Sequence, residues 1–319
     1  MPGPIGGARG TAGVTGGSGT SANLGCRAFA NDETLRKLAA GSASPIARGA
    51  PKSDSVKTVQ TALYSLGFIS LRKGIDGAFG RGTEASIKAF QASANLAQSG
   101  VLDANTLQAL DVASAAQISK VKANASLPGS KKGAFRIVAD ISDPTKTRLY
   151  VLGKNDQVQA RYLTSPGRAE FPTRGDHFKI QDVLPRQPWN PPNSSWVKNS
   201  TPVPPGIDNP MGILKLSFGQ YSEYIHGIPP KEEPELGHAA SHGCLRMSGS
   251  NILEVGEKWA EAGTDVTINR DRALSAQLAA AYATANVQDR PTDAGREYLF
   301  GYASGELGTV SHIAGPPNS

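Results

Sequence analysis

Apolar residues recur at helical spacing in one stretch of the chain and at strand spacing in another, with the change near residue 134. Within residues 47–111, Val56, Val59, Leu63 and Leu66 fall on one face of a helix, and Gly67 stops it. Thr83 opens a second helix carrying Ile87 and Phe90, and Thr106, Leu107 and Leu110 open a third. Turns separate them at Ile75-Asp76-Gly77-Ala78-Phe79-Gly80 and at Gly100. The pattern predicts three short helices around one small core.

From Phe135 the alternation is that of strands. Ile137–Ile141 and Arg148–Leu152 are predicted strands joined by a turn at Asp143-Pro144. Further strands are expected at Val158–Leu163, Phe178–Val183, Ile213–Phe218 and Val266–Ile268, with Pro-rich loops between, notably Pro185–Pro210. One helix is expected at Ser250–Ala262, ended by Gly263. The pattern divides the chain into a Gly-rich arm at 1–46, a helical domain at 47–111, a linker at 112–133, a mainly-β domain at 134–270, and a helix and tail at 271–319. The arm is low-complexity over 1–22, with one short helix near Asn31–Leu38 capped by Asn31 or Asp32. The tail has an Ala-rich helical stretch at 272–286, and its role is not readable.

Composition narrows the partners. A net charge of +6 and a pI near 9.3 favour anionic surfaces, but no Lys/Arg run is dense enough for a nucleic-acid patch. No apolar run approaches the roughly 20 residues of a membrane span. Residues 1–21 also lack the apolar region of a secretory signal, and the same lack argues against lipid attachment at Asn23-Leu24-Gly25-Cys26. Two cysteines, Cys26 and Cys244, do not make a disulfide framework.

The informative stretch is Ile225-His226-Gly227, followed by Gly237-His238-Ala239-Ala240-Ser241-His242-Gly243-Cys244-Leu245-Arg246-Met247. A thiol becomes a strong nucleophile only as thiolate, and a nearby imidazole can take its proton. Gly243 leaves room for an acyl group and for backbone N–H groups aimed at an oxyanion. Three readings follow. Each residue taken singly is an ordinary loop or core residue. His238-x-x-x-His242 with Cys244 or His226 has zinc-ligand spacing if helical, though the flanking Gly and Ser residues favour a turn. The third reading is acyl transfer by Cys244.

Two family resemblances bear on the choice. Gln60, Leu63, Leu66-Gly67-Phe68, Asp76-Gly77-x-Phe79-Gly80, Thr83, Phe90-Gln91, Leu96 and Gly100 resemble the peptidoglycan-binding domain of the three-helix type. His-Gly followed by Ser-His-Gly-Cys-Leu-Arg is similar to the catalytic motif of the L,D-transpeptidases of the YkuD type, and the similarity extends over about residues 134–270. Phe171-Pro172-Thr173-Arg174-Gly175 resembles that family's strand opening, Pro188-Trp189 through Met211-Gly212 its substrate-side loops, and Gly263–Ile268 its closing strand. His177 departs from the family, which usually has a small hydroxyl residue there.

The fold implied is a small all-α three-helix domain followed by a mainly-β, β-sandwich-like catalytic domain. The resemblance implies Cys244 as nucleophile, His226 as base with its ring oriented by the Gly227 carbonyl, and His242 lining the site. It implies Ser241 as a hydrogen-bonding residue, Gly243 and Cys244 N–H groups as oxyanion donors, and Arg246 as a carboxylate-binding cation, with a structural ion pair as its alternative. No metal or cofactor is expected. The implied activity is 3→3 cross-linking of peptidoglycan stem peptides through a Cys244 thioester. Stem trimming by the same thioester, possible in an exported antibacterial effector, is one alternative, and an inactive wall-binding protein is another. A monomer in the periplasm or cell envelope is expected, reached after processing or by a specialised export route.

Overall fold

The computed structural model describes residues 23–69, 75–124, 133–197, 200–218, 222–308 and 311–312. The low-complexity arm at 1–22 and the linker centre at 125–132 lie outside the described residues. The chain divides into two compact units, Met1–Ala123 with Ser304–Glu306, and Asn124–Ala303 with Leu307–Ser319.

In the first unit, α1 (Arg27–Ala30) and α2 (Glu33–Ala39) occupy the segment expected as an arm. Phe29, Leu35 and Leu38 are buried there, and Asp32 caps α2 by accepting from the Leu35 N–H. Helix α2 is the short helix expected near Asn31–Leu38, with Asp32 as its cap, whereas α1 was not expected. Cys26 is buried, its N–H bonded to Asp111, and both cysteines are free thiols.

The three predicted helices are α3 (Asp54–Ser65), α4 (Arg81–Ser93) and α5 (Ala104–Asn124). The third continues through residues expected as linker, because Ala, Ser, Gln and Lys at 112–124 contain no breaker before Pro128. Val56, Val59, Leu63, Ile87, Phe90, Leu107 and Leu110 fill the core.

One device is used twice in this unit. Gln60, buried on α3, accepts from the Asp76 and Gly77 N–H groups, and its Nε2 lies 3.0 Å from Ala78 O and from Thr83 Oγ1 at the start of α4. Gln91, buried on α4, accepts from the Gly100 N–H, and its Nε2 lies 3.0 Å from Val101 O and from Thr106 Oγ1 in the first turn of α5. Each glutamine satisfies the turn after its own helix and ties it to the next helix.

The second unit holds two five-stranded sheets. The first is ordered β3-β2-β1-β9-β4, from β1 (Arg136–Asp140), β2 (Arg148–Leu152), β3 (Val158–Leu163), β4 (His177–Lys179) and β9 (Asp265–Asn269). The second is ordered β10-β5-β6-β7-β8, from β5 (Asp182–Pro185), β6 (Leu214–Ser217), β7 (Tyr224–Ile228), β8 (Leu245–Ser248) and β10 (Ser311–His312).

The strand expected at Phe178–Val183 is instead two strands in different sheets. The Ile180 N–H bonds to Thr264 O while the next residue, Gln181, bonds to Ser217 O. Hydropathy is blind to that change of partner. The Phe178 and Phe218 rings stack across the junction at 4.7 Å. Strands β7 and β8 were not foreseen, because Gly and His interrupt the first and the second is only four residues long.

The first sheet is apolar on both faces. Val138, Tyr150, Leu152 and Val158 pack against Leu278 on α7 (Arg272–Thr284), which is capped by Asp271. The helix expected at 250–262 is α6 (Gly249–Glu254) followed by a π-helical turn at Val255–Trp259. The tail adds α8 (Arg296–Ser304), whose Tyr302 hydroxyl donates to Glu257.

Candidate active site

Three neighbouring strands assemble the site. In register, Lys215 on β6 pairs with His226 on β7, and His226 pairs with Arg246 on β8. Cross-strand partners project from one face of a sheet. Tyr224 and Cys244 each precede a member of this row by two residues, which brings the candidate nucleophile beside the candidate base.

His226 is buried, and its Nδ1–H donates to Gly227 O at 2.6 Å. A carbonyl can only accept, so this bond places the ring proton on Nδ1 and leaves Nε2 with a lone pair. Gly227 is held to a hydrogen by crowding. A Cβ there would meet Ile252 Cγ2 at 3.0 Å and the Gly249 Cα at 3.3 Å, where α6 crosses β7.

Cys244 is half-buried at the end of a tight turn entering β8. Gly243 has φ +119°, a conformation that disfavours side chains. Its N–H donates to Ser241 Oγ at 3.0 Å, and that hydroxyl donates to Cys244 O at 2.5 Å. Ser241 therefore staples the turn from inside, and the Gly243 N–H is engaged in that staple. From outside, Thr173 Oγ1 donates to Gly243 O at 2.7 Å and accepts from the Gly167 N–H. Glu223, buried beneath Gly243, receives the Arg174 N–H at 3.0 Å and its Nε at 2.8 Å.

The electrostatics favour the neutral form of both candidate groups at rest. Burial, with Arg246 and Lys215 nearby, pushes His226 down to about 3 despite its bond to Gly227. Burial, with some contribution from Glu223, pushes Cys244 up to about 11, although a backbone bond from Tyr224 and the two cations oppose it. Arg246 faces Glu235 at 3.5 Å and Glu232 at 3.9 Å. The ion-pair alternative for Arg246 therefore has partners in the structure.

His242 lies to one side, stacked on Trp196 with centroids 4.0 Å apart and against Phe171 at 4.9 Å. Burial, then Arg168 and Arg246, lowers its pKa. His238 is exposed, and residues 238–242 are not helical, so the helical spacing a zinc site would need is not realised. Among the described residues no three His, Cys, Asp or Glu side chains group as metal ligands.

Two families match the chain: the YkuD L,D-transpeptidase catalytic domain over residues 134–268, and the PG_binding_1 peptidoglycan binding domain over residues 52–110. The chain carries an L,D-transpeptidase catalytic domain behind a peptidoglycan-binding domain. Among solved structures, an L,D-transpeptidase from Mycobacterium smegmatis is 20% identical, with a TM-score of 0.34, over 43% of this chain and 58% of that one. An L,D-transpeptidase from Mycobacterium tuberculosis H37Rv gives 20% identity and 0.33 over 43% and 57%. One from Stackebrandtia nassauensis gives 17% and 0.29 over 71% and 97%. The match thus spans less than two thirds of either mycobacterial chain. No curated protein sequence matches this chain. Both matched domains belong to families that act on the cell wall, outside the cytoplasm. Among the described residues no helix is long and apolar enough to cross a membrane.

Several residues of the candidate site escaped sequence reading. Thr173 and Arg174 stood in a recognised segment, but their hold on the nucleophile turn is a long-range contact. Glu223 gave no signal at all. Lys215 gave a faint one, as a lysine flanked by Leu214 and Leu216 in a buried strand. His177 is exposed on β4 beside Thr267 and touches none of this machinery.

Proposed function

We propose that the transpeptidase domain transfers a peptidyl group through a thioester on Cys244. Nε2 of His226 takes the thiol proton as Sγ attacks the peptide carbonyl. The C–N bond then breaks, and the leaving amine takes that proton from the imidazolium. An amine from a second stem peptide attacks the thioester, giving its proton to His226, and the thiol is regenerated. In this reading the released residue is the terminal D-alanine of a tetrapeptide stem, and the product is a 3→3 cross-link.

The observation that carries the reading is the tautomer of His226. Its Nδ1–H is committed to Gly227 O, so Nε2 is left as the acceptor, on a strand whose neighbour leads back to Cys244. In this reading both partners rest neutral, and proton transfer is coupled to the arrival of the peptide. The Cys244 N–H is the oxyanion donor, joined by that of Gly243 if Ser241 releases it. Ser241 holds the turn, and His242 lines the approach with Trp196 and Phe171. The helical domain keeps the enzyme on its polymeric substrate and raises local concentration.

The test incubates the full chain and Cys244→Ala with disaccharide-tetrapeptide and reads products by mass spectrometry. Cysteine-dependent dimers with loss of D-alanine are expected. Trimmed monomers alone would replace cross-linking by hydrolysis, and no reaction in either sample would leave a wall-binding protein.

A further inference from the structure

The site face carries more positive charge than the chemistry above uses. Lys215, His226 and Arg246 form one cross-strand row, and Tyr224 and Cys244 lie one row along on the same face. Arg246 has Glu235 and Glu232, and Arg174 has Glu223. Lys215 is different: it is half-buried, and among the described residues it has no carboxylate partner. Its Nζ sits over the Tyr224 ring, 4.6 Å from the centroid, which brings the ammonium toward the Cys244 row.

A half-buried ammonium without a counter-ion is unfavourable, and the pairing it lacks is what an anionic ligand supplies. We propose that Lys215 is a carboxylate-binding residue that receives the free C-terminal carboxylate of the donor peptide, one residue beyond the bond that Cys244 attacks. Neighbouring strands lie about 4.8 Å apart, so β6 and β8 are separated by roughly 10 Å. The lysine stem over Tyr224 closes part of that gap. A sulfur–carbonyl approach, one residue of about 3.5 Å and a hydrogen bond close the rest. Lys215 would thus make the enzyme select for peptide ends, accepting as donor a stem with exactly one residue to lose.

The inference rests on the acyl-transfer reading, and one experiment separates the two. Release of the last residue is measured for disaccharide-tetrapeptide and for its C-terminal carboxamide, using the full-length wild type, Lys215→Met and Lys215→Arg. Wild type is expected to favour the acid at least about tenfold in kcat/KM. Lys215→Met should bring that ratio near one, and Lys215→Arg should retain part of it. Alkylation of Cys244 by iodoacetamide, which has no carboxylate, is followed in parallel. If wild type accepts acid and amide equally, or Lys215→Met keeps the preference, the assignment is overturned while acyl transfer stands. Slowing of alkylation by Lys215→Met as large as its loss on the acid peptide also overturns it, since the lysine would then act on the thiol. A wild type that cleaves neither peptide overturns both readings.

Discussion

Burying a neutral histidine makes the protein's stability depend on pH in a definite direction. His226 has a folded pKa near 3 against an ordinary value near 6.5. Its folded pKa is depressed, so its contribution is complete above pH 6.5 and is lost as pH falls toward 3. Denaturant midpoints measured from pH 7.5 to 4 should fall for the wild type and flatten for His226→Gln. Thr173 tests a different point. Thr173→Val leaves Gly243 O and the Gly167 N–H without their partner, at about 1–3 kcal/mol. Turnover should drop at least about tenfold through a misplaced Cys244, while Thr173→Ser restores it. At this scale the sequence singled out the candidate residues Cys244, His226 and Gly243, because Cys, His and Gly at short spacing advertise chemistry. It hid Thr173, Glu223 and Lys215, because nothing local distinguishes a threonine that holds a distant carbonyl from one that faces water.

Among elements, the turns of the helical unit depend on Gln60 and Gln91 more than on their own residues. Gln60→Leu removes the acceptor for the Asp76 and Gly77 N–H groups in one step. Amide exchange at these two positions should become fast, and the unit's stability should fall by about 1–3 kcal/mol, the cost of leaving the buried Gly77 N–H without its acceptor. Gln91→Leu should do the same at Gly100. Helical periodicity made α3 and α4 legible to within a few residues. The two sheets were less legible where the partner changes. Ile180 and Gln181 are adjacent in the chain yet hydrogen-bond toward different sheets, and a period-two pattern reads straight through them.

For the molecule as a whole, the folding unit is longer than the family match. The match ends at residue 268, yet α7 lies on Val138, Tyr150, Leu152 and Val158. Beyond it, Arg290 pairs with buried Glu254, and Ser248 Oγ donates to Thr292 O. Leu278→Ala should cost about 2–5 kcal/mol, measured by chemical denaturation. A chain stopped at residue 270 should bind a dye for exposed apolar surface and precipitate, where one stopped at 308 stays folded. Sequence reading found the α7 helix but not its purpose, since an Ala-rich stretch shows no strong apolar stripe.

The resting state of Cys244 carries one more consequence. Peroxide and other oxidants attack thiolates, and a sulfur raised to about 11 is almost wholly protonated at neutral pH. In the proposed mechanism Cys244 gives up its proton only as the peptide carbonyl arrives, and such a thiol is slow to form sulfenic or sulfinic acid while it waits. In that reading the same burial that makes Cys244 sluggish alone also protects it between turnovers.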